Sequence, residues 1–361
     1  MTEKERLKLL KEISEVPGIS GYEREATRVV KKYVENSVDE IIYDNLGSLI
    51  AHKKGDSSLK CLFTAHIDEV GFLVTEIEKS GFLRVQPVGG WWGHVLLSQR
   101  MTIINNEGKK FLGVVGSKPP HGMSMEERNK VLAIKDIYID LGVKDREAVK
   151  KLGIRVGDQV VPYSEFSVMN DKSYILGKAW DDRICVASIV EMLNNVKDLD
   201  LKCDIYGAAT VQEEVGLRGA RTATHLVKPD IAIALDVTKS YDIPGSREPR
   251  ETKLGTGIAL SIMDSSVIGH RGLINHIESL CKKHKIPYTF DLMDAGGTDS
   301  GEIHKSYDGI INMTISLPCR YFHSHSSIVH LDDYKNLVKL LTEFVKGLDH
   351  KVLEELKESK K

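Results

Sequence analysis

The chain has 361 residues, of which 41% are hydrophobic and 28% are charged, and its formal net charge is -2 at pH 7. This length suits two domains, or one large domain with an insertion, and the apolar fraction is enough to form a buried core. The balanced charge predicts no nucleic-acid or polybasic membrane partner, and no apolar run approaches the roughly 18 residues that a membrane span needs.

The N-terminal segment predicts an amphipathic helix over residues 3–16 and is too charged for a secretory signal. The five cysteines are widely scattered and form no CxxC pair: Cys61, Cys185, Cys203, Cys281 and Cys319. This pattern argues against a disulfide framework and against a cysteine zinc site. We therefore expect a reduced, cytoplasmic protein.

A second helix is predicted after Ser20-Gly21-Tyr22-Glu23, because Ser20 and Glu23 have the spacing of a capping box. Strand patterns follow. The apolar run LKCLFTA at residues 59–65 is nearly continuous, which is typical of a strand buried on both faces.

The sequence pattern changes over residues 68–167. Short strand-like segments are separated there by Gly, Pro and Asn turns. We expect residues 68–167 to form a small β-barrel-like domain inserted into an α/β domain made of residues 1–67 and 168–361.

Longer strands and helices alternate after residue 170. A helix is predicted over residues 184–196, and helical patterns recur at 333–357. Apolar strands are predicted at 203–211, 231–237, 257–263 and 311–317. Such alternation implies a mostly parallel sheet with helices on both faces.

Histidines and carboxylates follow several of these predicted strands. They are His66 and Asp68, Glu213 and Glu214, Asp236, and His323, and Asp181-Asp182-Arg183 precedes the helix at 184–196. Ligands of open α/β sheets bind beyond the carboxyl ends of the strands. Imidazole and carboxylate donors suit Zn²⁺, Co²⁺ or Mn²⁺, and two divalent ions would neutralise acids that otherwise repel one another.

Each element also has a structural explanation when it is taken alone. The Asp-Asp pair could cap the following helix, and the Glu-Glu pair could form a solvated turn. His323 could belong to a surface cluster with His325 and His330. These explanations do not account for the joint occurrence of the residues at strand ends.

Six motifs in order resemble the M42 family of metallo-aminopeptidases, which includes tetrahedral and glutamyl aminopeptidases. They are AHIDEVGF (65–72), DDR (181–183), QEEVGLRGA (212–220), ALDV (234–237), DAGGTDS (294–300) and RYFHS (320–324). The resemblance runs over nearly the whole chain. Some members of this family have been labelled endoglucanases.

The resemblance implies two divalent ions, for which Zn²⁺, Co²⁺ and Mn²⁺ all fit. Their five ligands would be His66, Asp181, Glu214, Asp236 and His323. Asp181 would bridge the ions, with His66 and Asp236 on one ion and Glu214 and His323 on the other. Glu213 would act as general base on a metal-activated bridging water, Asp68 would orient His66, and Asp182 and Arg183 would support the site.

The resemblance also implies peptide substrates with a free N-terminus and a homo-oligomer built from dimers, which in this family is commonly a tetrahedral dodecamer. The inserted domain would mediate dimerisation. The extra His325 in the HSHS segment could be a loop residue, could perturb the site or could bind stray metal. Arg250 and Lys253 lie in a loop that could reach the substrate pocket, although a solvated loop is the favoured interpretation.

Three other functions compete with this reading. A glycosidase needs two carboxylates but no metal or histidine ligands, and the chain has only three tryptophans for sugar platforms. A two-metal dipeptidase or deacylase would use the same chemistry. A binding protein with an inactive site is disfavoured because the acid Glu213 is intact.

Overall fold

The computed structural model describes residues 1–246, 251–293 and 295–361. The strands are, in chain order, β1 (Glu40–Tyr43), β2 (Leu49–Lys53), β3 (Lys60–His66), β4 (Gly71–Ile77), β5 (Leu83–Val88), β6 (Arg100–Ile104), β7 (Lys110–Gly116), β8 (Tyr138–Asp140), β9 (Gln159–Pro162), β10 (Ser167–Val168), β11 (Tyr174–Gly177), β12 (Asp204–Thr210), β13 (Ile231–Lys239), β14 (Ile258–Met263), β15 (Tyr288–Leu292), β16 (Ile311–Cys319) and β17 (Ser327–His330). The α-helices are α1 (Glu3–Glu15), α2 (Arg24–Val34), α3 (Met125–Asn129), α4 (Arg146–Lys151), α5 (Trp180–Val196), α6 (Arg218–Val227), α7 (Arg271–His284), α8 (Ser300–Ile303), α9 (Leu331–Gly347) and α10 (His350–Glu358).

The central sheet has the strand order β1-β2-β12-β3-β13-β16-β14-β15. Its middle is parallel, because β3 pairs in parallel with both β12 and β13, and β13 pairs in parallel with β16. Antiparallel pairs occur towards the edges, at β1 with β2, β2 with β12 and β14 with β16. The predicted, mostly parallel sheet is confirmed.

Helices cover both faces of this sheet. On one face, Phe63 of β3 belongs to a large apolar core that also includes residues of α1, α2, α5, α7 and α9. On the other face, Leu62 packs with Ala220 and Ala223 of α6 and with Ile303 of α8. Since successive strand residues point to opposite faces, a strand covered on both sides needs a continuous apolar sequence. This is why residues 59–65 read as an unbroken apolar run.

A second sheet closes on itself as a barrel, β4-β5-β8-β7-β6-β9. Buried residues such as Phe72, Met101 and Val160 fill its interior. The barrel strands lie within residues 71–162, so the predicted barrel-like insertion is confirmed as a fold. Its limits at 68 and 167, and its role in dimerisation, stay predictions.

The predicted helix at 184–196 lies within α5, whose residues Asp181 and Asp182 have non-helical dihedral angles. The helical patterns at 333–357 form α9 and α10. The predicted capping box at Ser20 is wrong, because no side-chain bond caps α2 and the Ser20 hydroxyl instead donates to the buried Asp68 carboxylate at 2.6 Å. Every helix that the structure describes is too short or too polar to cross a membrane.

Candidate metal centre

The predicted site residues converge at the carboxyl end of the parallel strands. His66 ends β3, Glu213 and Glu214 follow β12, Asp236 lies in β13, and His323 follows β16. Asp181 joins them from the first turn of α5. The five predicted ligands and Glu213 line one cavity of about 450 Å³. The structure therefore brings together residues that are separated by up to 257 positions in the chain (66 to 323).

The Asp181 carboxylate lies between the two imidazoles. Its Oδ1 is 3.0 Å from His66 Nε2, and its Oδ2 is 3.2 Å from His323 Nε2. His323 Nε2 is also 3.3 Å from Oε1 of Glu214. A carboxylate whose two oxygens face two different donor groups has the arrangement that a bridging ligand requires.

The donor atoms form two overlapping groups. One atom from each of His66, Asp181 and Glu214 lies within 4.8 Å of the others, and the same holds for His66, Asp182 and Asp236. Asp182 was predicted only to support the site. It is completely buried, and neither of its carboxylate oxygens has a hydrogen-bond partner among the described residues. The peptide bond between Asp181 and Asp182 is cis.

The electrostatics of the site fit a cation. Burial raises the pKa of Glu213 well above its usual range, and the nearby carboxylates of Asp236 and Glu214 add to this. Burial and repulsion from Asp181 likewise raise the pKa of Asp236. Burial opposes protonation of His323, but Asp181 and Glu214 raise its pKa to about 11. These shifts favour the protonated forms of Glu213, Asp236 and His323, and a divalent cation bound by Asp236 and His323 would replace their protons.

Asp68 contacts both His66 and the loop that carries Glu213. The Nδ1 atom of His66 is 3.1 Å from the backbone oxygen of Asp68 and 3.6 Å from its Oδ1. The Asp68 carboxylate accepts hydrogen bonds from the backbone N–H groups of Glu213 (3.1 Å) and Glu214 (3.2 Å). The shorter contact of the imidazole is therefore with the backbone oxygen of Asp68, while the Asp68 carboxylate holds the backbone of the two glutamates. That Asp68 orients His66 stays a prediction.

Sequence reasoning missed a second carboxylate that holds this loop. Glu23 is buried, and its Oε1 accepts from the backbone N–H of Gln212 at 3.1 Å and of Gly21 at 2.7 Å. Gln212 has a left-handed φ of 56°, a conformation that a non-glycine residue adopts at some energetic cost. Three consecutive amides, at 212, 213 and 214, are therefore held by two carboxylates. The spacing of Ser20 and Glu23 was a signal, but it pointed to a helix cap.

Arg183, the last residue of the DDR motif, ties the segment after β3 to the N-terminal part of the chain. It is completely buried. Its guanidinium donates to the backbone oxygens of Ile67, Ile13, Val16 and Gly18 and to the Glu69 carboxylate. Without Arg183, the buried backbone oxygens of Ile67 and Ile13 would lose this donor, and a buried group left unpaired costs about 1–3 kcal/mol. The other acceptors keep a second donor, because Lys178 donates to Val16 and to Glu69, and the Glu69 amide donates to Gly18. This network supports the predicted role of Arg183 in holding the site together.

His325 lies beside the metal centre but outside both donor groups. It is 4% exposed, and its ring packs edge-on against Trp91 with centroids 5.8 Å apart. Burial lowers the pKa of His325 to about 4, so the ring is neutral at pH 7. Of the two loop residues considered for the substrate pocket, Arg250 lies outside the described residues, as does Asp294 of the DAGGTDS motif. Lys253 is not among the described residues that line the metal-centre cavity.

Comparisons with known proteins identify the family of this chain. The family model described as M42 glutamyl aminopeptidase matches residues 47–340. A putative aminopeptidase of Acetivibrio thermocellus is 39% identical over 96% of this chain and 100% of its own length.

Two solved structures are also similar. The TET aminopeptidase of a marine sediment thaumarchaeote has a TM-score of 0.95 and 39% identity, over 98% of this chain and 99% of that chain. The TET1 peptidase of Pyrococcus horikoshii, described as assembling into a tetrahedron or an octahedral shell, has a TM-score of 0.85 and 32% identity, over 95% of this chain and 100% of that chain. The chain therefore belongs to the M42 family of aminopeptidases.

Proposed function

We propose that this chain is an aminopeptidase that uses two divalent metal ions to remove N-terminal residues from peptides. The observation that carries the proposal is the Asp181 carboxylate, whose two oxygens face the imidazoles of His66 and His323 at 3.0 and 3.2 Å. Membership of the M42 family supports the same conclusion.

We assign the ligands of the two ions as the family resemblance implies, and the contacts of His66, Asp181, Glu214 and His323 support this assignment. His66 and Asp236 would hold one ion, Glu214 and His323 the other, and Asp181 both. Asp182 would stay a supporting residue. Mixed nitrogen and oxygen donors suit Zn²⁺, Co²⁺ and Mn²⁺ alike. When bound, the ions would polarise the scissile carbonyl and lower the pKa of a water molecule between them.

We propose Glu213 as the general base. Its Oε2 is 3.8 Å from His66 Nε2, so its carboxylate borders the ligand set. Its backbone is fixed by Asp68, which limits movement of the carboxylate relative to the substrate. Glu213 would accept a proton from the attacking water and pass it to the leaving amine. The surrounding carboxylates would favour a substrate with a free α-amino group.

The geometry of the site gives less support to the alternative enzyme functions. A glycosidase would use a pair of carboxylates without histidine ligands, whereas here two imidazoles lie against the central carboxylate. A two-metal dipeptidase or deacylase would share the ion site, and only the choice of substrate separates it from an aminopeptidase.

The experiment compares free and N-acetylated aminoacyl-4-nitroanilides after chelation and after adding back Zn²⁺, Co²⁺ or Mn²⁺. We expect chelation to abolish cleavage, metal to restore it, and the acetylated substrates to be cleaved at least about a hundredfold more slowly, because the carboxylates would no longer bind an amine. Undiminished cleavage by the chelated protein would rule out the metal mechanism. Equal cleavage of both substrate sets would favour a deacylase.

We also propose a homo-oligomer built from dimers. The Pyrococcus horikoshii relative supports this, as do large apolar side chains on the inserted region that are exposed in the single chain: Leu112 is 54% exposed, Met125 70% and Val131 49%. The cytoplasmic location also stays a proposal, which is supported by five cysteines that are all buried and unpaired.

The hydrogen bond between Glu23 and the backbone of residues 212–214, which carry the proposed base Glu213, gives a further prediction. Glu23→Ala removes the acceptor for the Gln212 amide, so we expect kcat to fall about tenfold or more as Glu213 loses its position. Glu23→Gln keeps an acceptor oxygen and should retain most of kcat. Both variants should bind the metal ions normally. Steady-state kinetics and metal analysis check this, and wild-type kcat in Glu23→Ala would show that the contact is dispensable.

A further inference from the structure

A second cavity adjoins the metal centre on the far side of His323. It has a volume of about 750 Å³, a size typical of ligand sites. It is lined by Gly90, Trp91, Trp92, Val95, Gln99, Tyr321, Phe322, His323, Ser324, His325 and Ser326. The lining is rich in aromatic rings, and none of these residues is Asp, Glu, Lys or Arg.

The two cavities share a wall. Phe322 and His323 line both of them, and His323 Nδ1 is hydrogen-bonded to the backbone oxygen of Gly90 at 2.8 Å. The metal-centre cavity holds the carboxylates that would bind a free amine, so the N-terminal residue of a substrate belongs there. The scissile bond must lie beside the proposed ions, and the rest of the peptide must leave this point. The second cavity borders that point at Phe322 and His323.

One aromatic side chain in the wall of the second cavity, Trp91, is held in place by packing and a hydrogen bond. Trp91 stacks on Phe72 of the barrel with ring centroids 5.0 Å apart, and its Nε1–H donates to the backbone oxygen of Gly71 at 3.1 Å. Trp92 is held less tightly and is 60% exposed. A fixed aromatic wall binds an apolar group without a large loss of side-chain entropy.

His325 supplies an unused polar group within this lining. It is 4% exposed, and neither ring nitrogen makes a hydrogen bond of good geometry to a described residue, although the Arg100 backbone is close enough to act on its pKa. A buried polar side chain without a partner is unusual and calls for an explanation. A neutral imidazole offers one donor and one acceptor, as does the peptide unit of a substrate.

We propose that this cavity binds the residue that follows the N-terminal residue of the peptide and prefers a large, uncharged apolar side chain there. His325 would hydrogen-bond to the backbone of that residue. The inference rests on the proposed aminopeptidase function and extends it to substrate choice on the leaving side of the scissile bond.

The test uses metal-loaded, full-length protein and three substrates that share one N-terminal residue: its simple amide, its dipeptide amide with Gly second, and its dipeptide amide with Phe second. We expect kcat/KM for Phe to exceed that for Gly by about tenfold or more. Trp92→Ala should bring this ratio to within about threefold, because it removes part of the aromatic wall. His325→Phe should lower kcat/KM for both dipeptides about tenfold relative to the simple amide.

Tyr43→Ala is the matched control, because Tyr43 is an exposed aromatic residue of β1 that lies outside this lining. In this variant, the ratio of kcat/KM for the Phe dipeptide amide to kcat/KM for the Gly dipeptide amide should equal that of the wild type. A wild-type ratio near one, or a ratio that Trp92→Ala leaves unchanged, would overturn the proposal while cleavage of the simple amide still supports the aminopeptidase. Failure to cleave any of the three substrates would instead count against the proposed function itself.

Discussion

Glu213→Gln is expected to lower kcat by about a thousandfold while both metal ions stay bound. The amide has nearly the shape of the carboxylate but cannot accept the proton of the attacking water, and general-base catalysis of this kind contributes about a hundredfold to ten-thousandfold. The backbone of residue 213 would stay hydrogen-bonded to Asp68, so the loss should reflect proton transfer alone. The effect should appear in kcat with little change in KM.

The neighbouring residue provides the control. Glu214 Oε1 is 3.3 Å from His323 Nε2, and we propose it as a ligand of one ion. Glu214→Gln should therefore reduce the metal content by about one ion per chain, whereas Glu213→Gln should not. Metal analysis together with single-turnover kinetics separates the two roles. Wild-type kcat in Glu213→Gln, or loss of metal from it, would show that Glu213 is not the base.

Asp181→Asn is expected to have the other large effect, because this residue would contribute to both ions. Although burial opposes ionisation of Asp181, hydrogen bonds from His323 and His66 hold its pKa well below the usual range. Asp181 thus favours its ionised form, and its negative charge lies between the imidazoles of His66 and His323. The variant should bind less than one ion per chain and lose activity by about a thousandfold or more.

Asp182→Asn tests whether Asp181, rather than Asp182, is the carboxylate that bridges the two ions. Asp182 also lies near His66 and Asp236, but its carboxylate does not lie between the two imidazoles. We expect Asp182→Asn to keep two ions and a measurable kcat. If this variant lost the ions while Asp181→Asn kept them, the bridging role would have to be reassigned to Asp182. Titration of each chelated variant with Zn²⁺ or Co²⁺ gives the stoichiometry.

Much of the fold could be predicted because local pattern and tertiary structure agree in it. The run at 59–65 is apolar throughout because β3 is covered by helices on both faces. The residues after each parallel strand meet at one edge of the sheet as a consequence of topology. This is why His66, Glu213 and Asp236 could be placed near one another from the sequence.

The remaining features depend on contacts between segments that are distant in the chain. Glu23 holds the amide of Gln212 across 189 positions, and spacing within residues 20–23 suggested only a helix cap. The burial of His325 depends on Trp91 of the insertion, so the sequence could not distinguish a loop histidine from one that lines a cavity. In each case the local sequence is compatible with a simpler role, and only the tertiary packing assigns the partner.

Anomalous diffraction from crystals of the Zn²⁺-loaded protein tests the two-ion site most directly. We predict two peaks per chain, one between His66 and Asp236 and one between Glu214 and His323, with Asp181 in contact with both. A single peak, or peaks located away from these five side chains, would contradict the account.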